Sequence, residues 1–164
     1  MSLDSAISSF FVSLQTPLSN QIFTVISASV YVLLALTLIL LVRNFVKDKK
    51  DIQFAKLIVG ALIVFLVIEA LKLLTGRLRP DGSGNDSFPS RHAALGFFAA
   101  YFLPADKKYK ILLYAWAILI AISRLALNLH WFTDVLVGSI VGLAFAYLVE
   151  KIPLEKIFKR SRWL

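Results

Sequence analysis

Two histidines, an aspartate and a set of cations are spaced so that they could do chemistry together. His130 and Asp134 are four residues apart at the start of an apolar stretch, so a helix there puts both on one face. The carboxylate can hold one ring nitrogen, which fixes the tautomer and leaves the other nitrogen free to attack. His92 lies on a different segment, where it can protonate a leaving oxygen and later activate water. Lys72, Arg79 and Arg124 supply matching electrostatics. A phosphoryl group in transfer spreads charge over its equatorial oxygens, which a guanidinium grips in pairs and an ammonium neutralises as a point charge. Pro89 pre-sets a helix start, so the N–H groups after it and the positive dipole end join the same cradle, and Ser90 adds a hydroxyl donor.

The same His92, His130 and Asp134 could in principle hold a metal. The cations weigh against that: at an effective dielectric near 20, a unit charge about 6 Å from a divalent ion costs roughly 5 kcal/mol. The cluster suits an anion better, so neither a metal nor another cofactor is expected.

The elements that must position these residues are transmembrane helices. Of the 164 residues, 59% are hydrophobic and the mean hydropathy is strongly positive, so lipid rather than a soluble core must shield most of the chain. Apolar runs predict spans at about 18–46, 53–75, 90–103, 108–127 and 131–150. The third is short, ends at Pro104, and should be walled by other helices. Before them, Leu3, Ile7, Phe10, Phe11 and Leu14 recur at helical spacing among Asp4, Ser5, Ser8 and Ser9, which predicts a helix over 3–14 lying in the interface. That segment begins with an acid, so a cleavable signal peptide is not expected. No internal repeat divides the chain, and a single domain is expected. The absence of cysteine excludes disulfides and thiolate metal sites.

A net charge of +8 would suggest nucleic acid in a soluble protein, but here the positions of the cations matter more, and no nucleic-acid partner is expected. Arg43, Lys47, Lys49, Lys50 and Lys56 fall around the first connection, Lys107, Lys108 and Lys110 in the third, and Lys151, Lys156, Lys159, Arg160 and Arg162 at the end. That face is cytoplasmic by the positive-inside rule, and the cations there read as headgroup anchors. Lys72, Arg77, Arg79, Arg91 and Arg124 fall on the opposite face, where insertion disfavours them and function must retain them.

Three segments of that face carry recognisable patterns: Lys72 followed after six residues by Arg79-Pro80; Pro89-Ser90-Arg91-His92; and Ser123-Arg124, His130 and Asp134. In this order they resemble the three-part signature of the type 2 phosphatidic acid phosphatase superfamily of membrane lipid phosphatases, over Lys72 to Asp134. The resemblance implies an all-α integral membrane protein that hydrolyses lipid phosphates through a phosphohistidine, with His130 as nucleophile, Asp134 as its partner, and His92 as acid and base. Lys72, Arg79, Ser90 and Arg124 match its phosphate-binding positions, with Ser123 in support. The family commonly has a small residue where this chain has Arg91. That guanidinium either holds the second phosphoryl group of a diphosphate or pairs with Asp81 or Asp86 and steadies the loop.

Other residues have plainer readings. Glu69, one turn before Lys72, is read as an ion pair that holds that lysine. Arg77 stands evenly between a headgroup contact and the site. Asp81, Asn85 and Asp86 sit in a Gly-rich connection, mobile first and a lid second. Phe97, Phe98, Tyr101, Trp116 and Trp131 are read as packing and interface anchors.

The expected protein is therefore a bundle of about five transmembrane helices preceded by an interfacial helix. It should remove phosphate from a lipid-linked phosphate or diphosphate on the extracytoplasmic face, with a polyprenyl diphosphate as favoured substrate. A phosphatidate or phosphatidylglycerophosphate phosphatase is the alternative within the class. A non-catalytic lipid-phosphate binder or transporter is the alternative outside it, disfavoured because binding needs no nucleophile.

Overall fold

The computed structural model describes residues 2–48, 51–103 and 105–153, and of residues 44, 45, 47, 48 and 51–53 the backbone alone. Among them run α1 (Leu3–Ser13), α2 (Pro17–Asp48), α3 (Asp51–Thr75), α4 (Arg91–Phe102), α5 (Lys107–Ala126) and α6 (Phe132–Lys151). Four stretches, Pro17–Arg43, Phe54–Thr75, Lys107–Ala126 and Phe132–Lys151, are long and apolar enough to cross a membrane. Large apolar side chains such as Val25, Val32, Ile39, Leu62, Ile111 and Ile140 stand exposed on them, the surface a bilayer would cover.

The third expected segment is α4. Its 12 residues rise about 18 Å, too few for a hydrocarbon core of about 30 Å. It survives because its neighbours enclose it: Ala93, Ala94, Gly96, Phe98, Ala99, Ala100 and Phe102 are buried, mainly against α6 and α5. Pro104, expected to end this segment, lies outside the described residues, as do Lys49, Lys50 and the cations after 153.

Small residues bring α4 and α6 together. A Cβ built on Gly138 would lie 3.2 Å from the backbone C and N of Ser90, and one on Gly142 2.9 Å from Ala94 C and Cα, so the two backbones touch at both levels. Phe98 then fills the space toward α3, where Gly60 admits its ring, and Val64, Ile68, Ala146 and Val149 complete that cluster. The contact fixes the start of α4, which carries His92, against the start of α6, which carries Asp134.

At the other end of the bundle, two lysines expected as headgroup anchors turn inward instead. Lys56 donates to the carbonyl of Glu150 at the end of α6, and Lys110 to those of Ala100 and Tyr101 at the end of α4. The last carbonyls of a helix lack intrahelical donors and carry its negative dipole end, so an ammonium finds both partner and charge there.

Helix α1 has no buried residue, as an interfacial helix should, yet it is docked by specific bonds. Ser8 Oγ donates to Asn128 Oδ1 at 2.7 Å, and the following turn sends Gln15 Nε2 to the Ala126 carbonyl at 2.8 Å. Ile7 and Phe11 pack against Ala93, Ala121, Leu125 and Val135. The helix therefore lies beside the chain segments that hold His130.

Candidate active site

After α3, Gly76 takes a positive φ of 50° and its N–H bonds the Lys72 carbonyl at 3.0 Å, which ends the helix and turns the chain. The connection then folds back on itself. Ser87 N–H donates to the Arg77 carbonyl at 3.0 Å and Arg79 N–H to that of Gly84 at 2.9 Å. This pairing delivers Ser87 to His130.

The ring of His130 is buried, and its Nδ1 lies 2.7 Å from the Ser87 carbonyl oxygen. A carbonyl can only accept, so Nδ1 carries the proton and the lone pair resides on Nε2. Asp134, expected to hold that nitrogen, stands 3.8 Å away, beyond hydrogen-bond reach. Its oxygens are committed elsewhere. Oδ2 accepts from Ser87 Oγ and, at 2.8 Å, from Trp131 N–H, which caps α6, while Oδ1 accepts from Arg77 Nη1 at 2.6 Å. Ser87 therefore stands between the two, its carbonyl on the imidazole and its hydroxyl on the carboxylate. Burial holds the imidazole below its usual pKa, opposed by Asp134 and the Ser87 carbonyl and reinforced by Arg124 and Lys72.

The other expected residues gather around this centre. Arg124, Arg91 and Lys72 lie within electrostatic reach of His92, as does His130. The His92 ring meets Tyr31 of α2 edge to face, with centroids 5.6 Å apart. Arg124 is buried, donates from Nη1 to Ser27 Oγ of α2 at 2.6 Å, and has no partner on Nε. Ser90 starts α4, and its N–H bonds the Asp134 carbonyl at 2.9 Å while its buried Oγ has no partner. Two unspent polar groups, Arg124 Nε and Ser90 Oγ, thus accompany an imidazole with a free nitrogen.

Several expectations need correction. Glu69 does not pair with Lys72: its Oε1 lies 3.0 Å from Arg91 Nη2, because Arg91 turns toward α3 and rests over the Phe65 ring. Arg91 is paired with neither Asp81 nor Asp86. Lys72 instead bonds the Asp86 carbonyl and lies 3.6 Å from its carboxylate, and Arg79 grips that carboxylate at 2.8 and 3.0 Å. The connection is thereby tied to two cations of the site rather than left free. Burial raises the Asp86 carboxyl, but Arg79 and Lys72 outweigh it and hold the group below its usual pKa. Ser123 is buried, but its hydroxyl bonds its own helix at Ile120 O, 2.6 Å away, and so supports α5 rather than the site. Arg77, read evenly between headgroup and site, bonds Asp134 Oδ1 and Asp4 Oδ2 at 2.6 Å each. Among the described residues no three of His, Cys, Asp or Glu gather as metal ligands.

Sequence reasoning missed Asp4, Ser27, Tyr31, Ser87 and Thr133. Asp4 and Thr133 are 129 residues apart, a pairing no local periodicity could announce. Ser87 had one weak signal, its place two residues before Pro89.

Four helices of spanning length, with two histidines and several cations gathered at one end of the bundle, define the class of multi-span membrane proteins. The sequence pattern of the PAP2 superfamily matches residues 53–157. Phosphatidylglycerophosphatase B of Bacillus subtilis is 32% identical over 181 residues, covering 98% of this chain and 87% of that protein. Lipid A 1-phosphatase of Porphyromonas gingivalis is 34% identical over 110 residues, 62% of this chain but a quarter (25%) of the relative. The crystal structure of a transmembrane PAP2-type phosphatidylglycerolphosphate phosphatase from Bacillus subtilis superposes with a TM-score of 0.77 at 30% identity, over 93% of this chain and 85% of that one. Aquifex aeolicus LpxE shares the fold, with a TM-score of 0.76 at 24% identity over 92% and 96% of the two chains. The chain belongs to the PAP2 superfamily, and with it to the membrane lipid phosphatases.

Proposed function

We propose that the protein hydrolyses a lipid-linked phosphate or diphosphate on the extracytoplasmic face of the membrane, through a phosphohistidine at His130. The observation that carries this reading is the bond from His130 Nδ1 to the Ser87 carbonyl, which leaves the Nε2 lone pair among cations. Nε2 attacks phosphorus, and the bond to the leaving oxygen, the lipid oxygen of a monophosphate or the bridging oxygen of a diphosphate, breaks with its electron pair on that oxygen, which takes a proton from His92. Neutral His92 then takes a proton from water, whose oxygen attacks phosphorus. The N–P bond breaks with its pair returned to Nε2, so the net reaction consumes one water and yields inorganic phosphate with the lipid alcohol from a monophosphate or the lipid monophosphate from a diphosphate. Lys72, Arg79, Arg124 and Ser90 hold the phosphoryl oxygens, which supplies the positive charge without a metal.

The outward-facing site is supported by the cations at the opposite end of the bundle. A polyprenyl diphosphate is one substrate that suits it, with Arg91 available to a second phosphoryl group if it exchanges Glu69 for phosphate. A phosphatidylglycerophosphate is the second reading, favoured by the Bacillus relative that matches nearly the whole chain. Phosphate release across a panel of prenyl diphosphates, phosphatidylglycerophosphate and phosphatidate, with and without chelator, ranks the two. Release should survive chelation, and acid-labile, base-stable label should form on the wild type but not on His130→Ala. Turnover by His130→Ala would overturn the reading.

A further inference from the structure

We propose that Arg77 and Asp4 are positioning residues for phosphoryl transfer, so that the N-terminal helix α1 forms part of the active site; this rests on His130 being the nucleophile. Arg77 holds the support of His130 from two sides. Its carbonyl takes the Ser87 N–H at 3.0 Å, and its guanidinium takes Asp134 Oδ1 at 2.6 Å, so the two residues nearest the His130 Nδ1 edge are both fixed by one side chain and its backbone.

Asp4 fixes Arg77 in turn. Its Oδ2 accepts from Arg77 Nη2 at 2.6 Å and from Thr133 Oγ1 at 2.7 Å, its Oδ1 from Thr133 N–H at 3.0 Å, and Thr133 Oγ1 accepts from Arg77 Nη1 at 2.7 Å. Every donor in this ring has an acceptor. Burial would raise the Asp4 carboxyl, but the bonds from Thr133 and Arg77 outweigh it, and Asp4 stays ionised.

The charges decide the purpose. Asp4, Arg77 and Asp134 sum to one negative charge beside a neutral imidazole, which balances the imidazolium formed when Nε2 takes the phosphoryl group. Without Arg77, two carboxylates would share the site, and fully buried Asp134 would lack its cation partner. Arg77 is not free to bind substrate: both terminal nitrogens are spent on carboxylates, and its Cζ lies over the Trp131 ring, 5.7 Å from the centroid.

The test uses the whole chain purified in detergent, with steady-state kinetics and the rate of label formation on His130 in a single turnover. Loss of a charge-assisted bond should make Arg77→Met form label about ten- to a hundredfold more slowly, with KM unchanged. Arg77→Lys should recover part of this, Asp4→Asn should lower kcat without lowering the melting temperature, and Arg77→Met on Asp134→Asn should cost nothing more. If Arg77→Met does not fold, the Arg77→Lys and Asp4→Asn variants decide on the same readouts. Normal labelling by Asp4→Asn, a raised KM with unchanged kcat in the Arg77 variants, or multiplicative effects with Asp134→Asn would overturn the proposal. Wild-type turnover with no label on His130 would instead sink the nucleophile reading and the positioning role with it, an outcome distinct from label that is indifferent to Arg77.

Discussion

His130 Nδ1 lies 2.7 Å from the carbonyl of Ser87 and 3.8 Å from the carboxylate of Asp134. Orientation and charge, which one Asp–His bond would combine, are thus divided between two residues. The peptide carbonyl fixes the tautomer and cannot be titrated away. In the proposed mechanism the carboxylate is a fixed negative charge at a distance where it steadies an imidazolium without taking its proton.

Asp134→Asn should therefore leave the ring in place and remove the charge. Breaking one side of a buried ionic network costs about 3–5 kcal/mol, which is roughly a hundred- to a few thousandfold in rate if it falls on the transition state. We expect kcat to fall on that scale with KM nearly unchanged, measured by steady-state phosphate release. A raised KM with normal kcat would move Asp134 to substrate binding.

The helices and the gathering of the candidate residues at one end of the bundle were legible because hydrophobic runs and motif spacing are local signals. The partners were not. Lys72 read as the neighbour of Glu69 from a three-residue spacing, yet Glu69 faces Arg91 across two helices and Lys72 faces Asp86 in the connection. Periodicity places residues on one face of their own helix but says nothing of which element packs opposite. Asp4 read only as one of the polar residues of an interfacial helix because its polarity was visible and its docking site, 129 residues on, was not.

The pH dependence follows from the burial of His130. The proposed nucleophile must be neutral, and burial, aided by Arg124 and Lys72, depresses its pKa from 6.5, so the neutral form persists further into acid than for a free imidazole. The acid limb of single-turnover labelling should fall below about 6.5. Asp134 opposes the depression, so Asp134→Asn should move the limb of its residual activity to still lower pH. A limb above 7 in the wild type, or a shift upward in the variant, would contradict this.

Topology can be tested directly, because the chain has no cysteine of its own. Ser83 lies in the exposed connection before α4, at the end of the bundle that carries the site. In intact cells Ser83→Cys should react with an impermeant maleimide, and Lys107→Cys only after permeabilisation. The reverse pattern would put the site in the cytoplasm and exclude a substrate presented outside.

Asp86 raises a question about how substrate enters, since its carboxylate stands on Arg79 and its carbonyl and carboxylate on Lys72, two cations proposed to hold phosphate. A phosphate must displace that carboxylate or share the cations with it. The group stays ionised because Arg79 and Lys72 hold its pKa low, so it competes as a charge at all working pH values. Asp86→Asn keeps the shape and removes the competitor. A charge-assisted contact of about 1.5–3 kcal/mol then becomes available to the ligand, so orthovanadate and inorganic phosphate should inhibit at concentrations about tenfold lower or better, and KM should fall. The cost should appear in release, with kcat lowered if product departure limits turnover. If inhibition weakens and KM rises, Asp86 is instead the residue that aims Arg79 and Lys72 at the substrate.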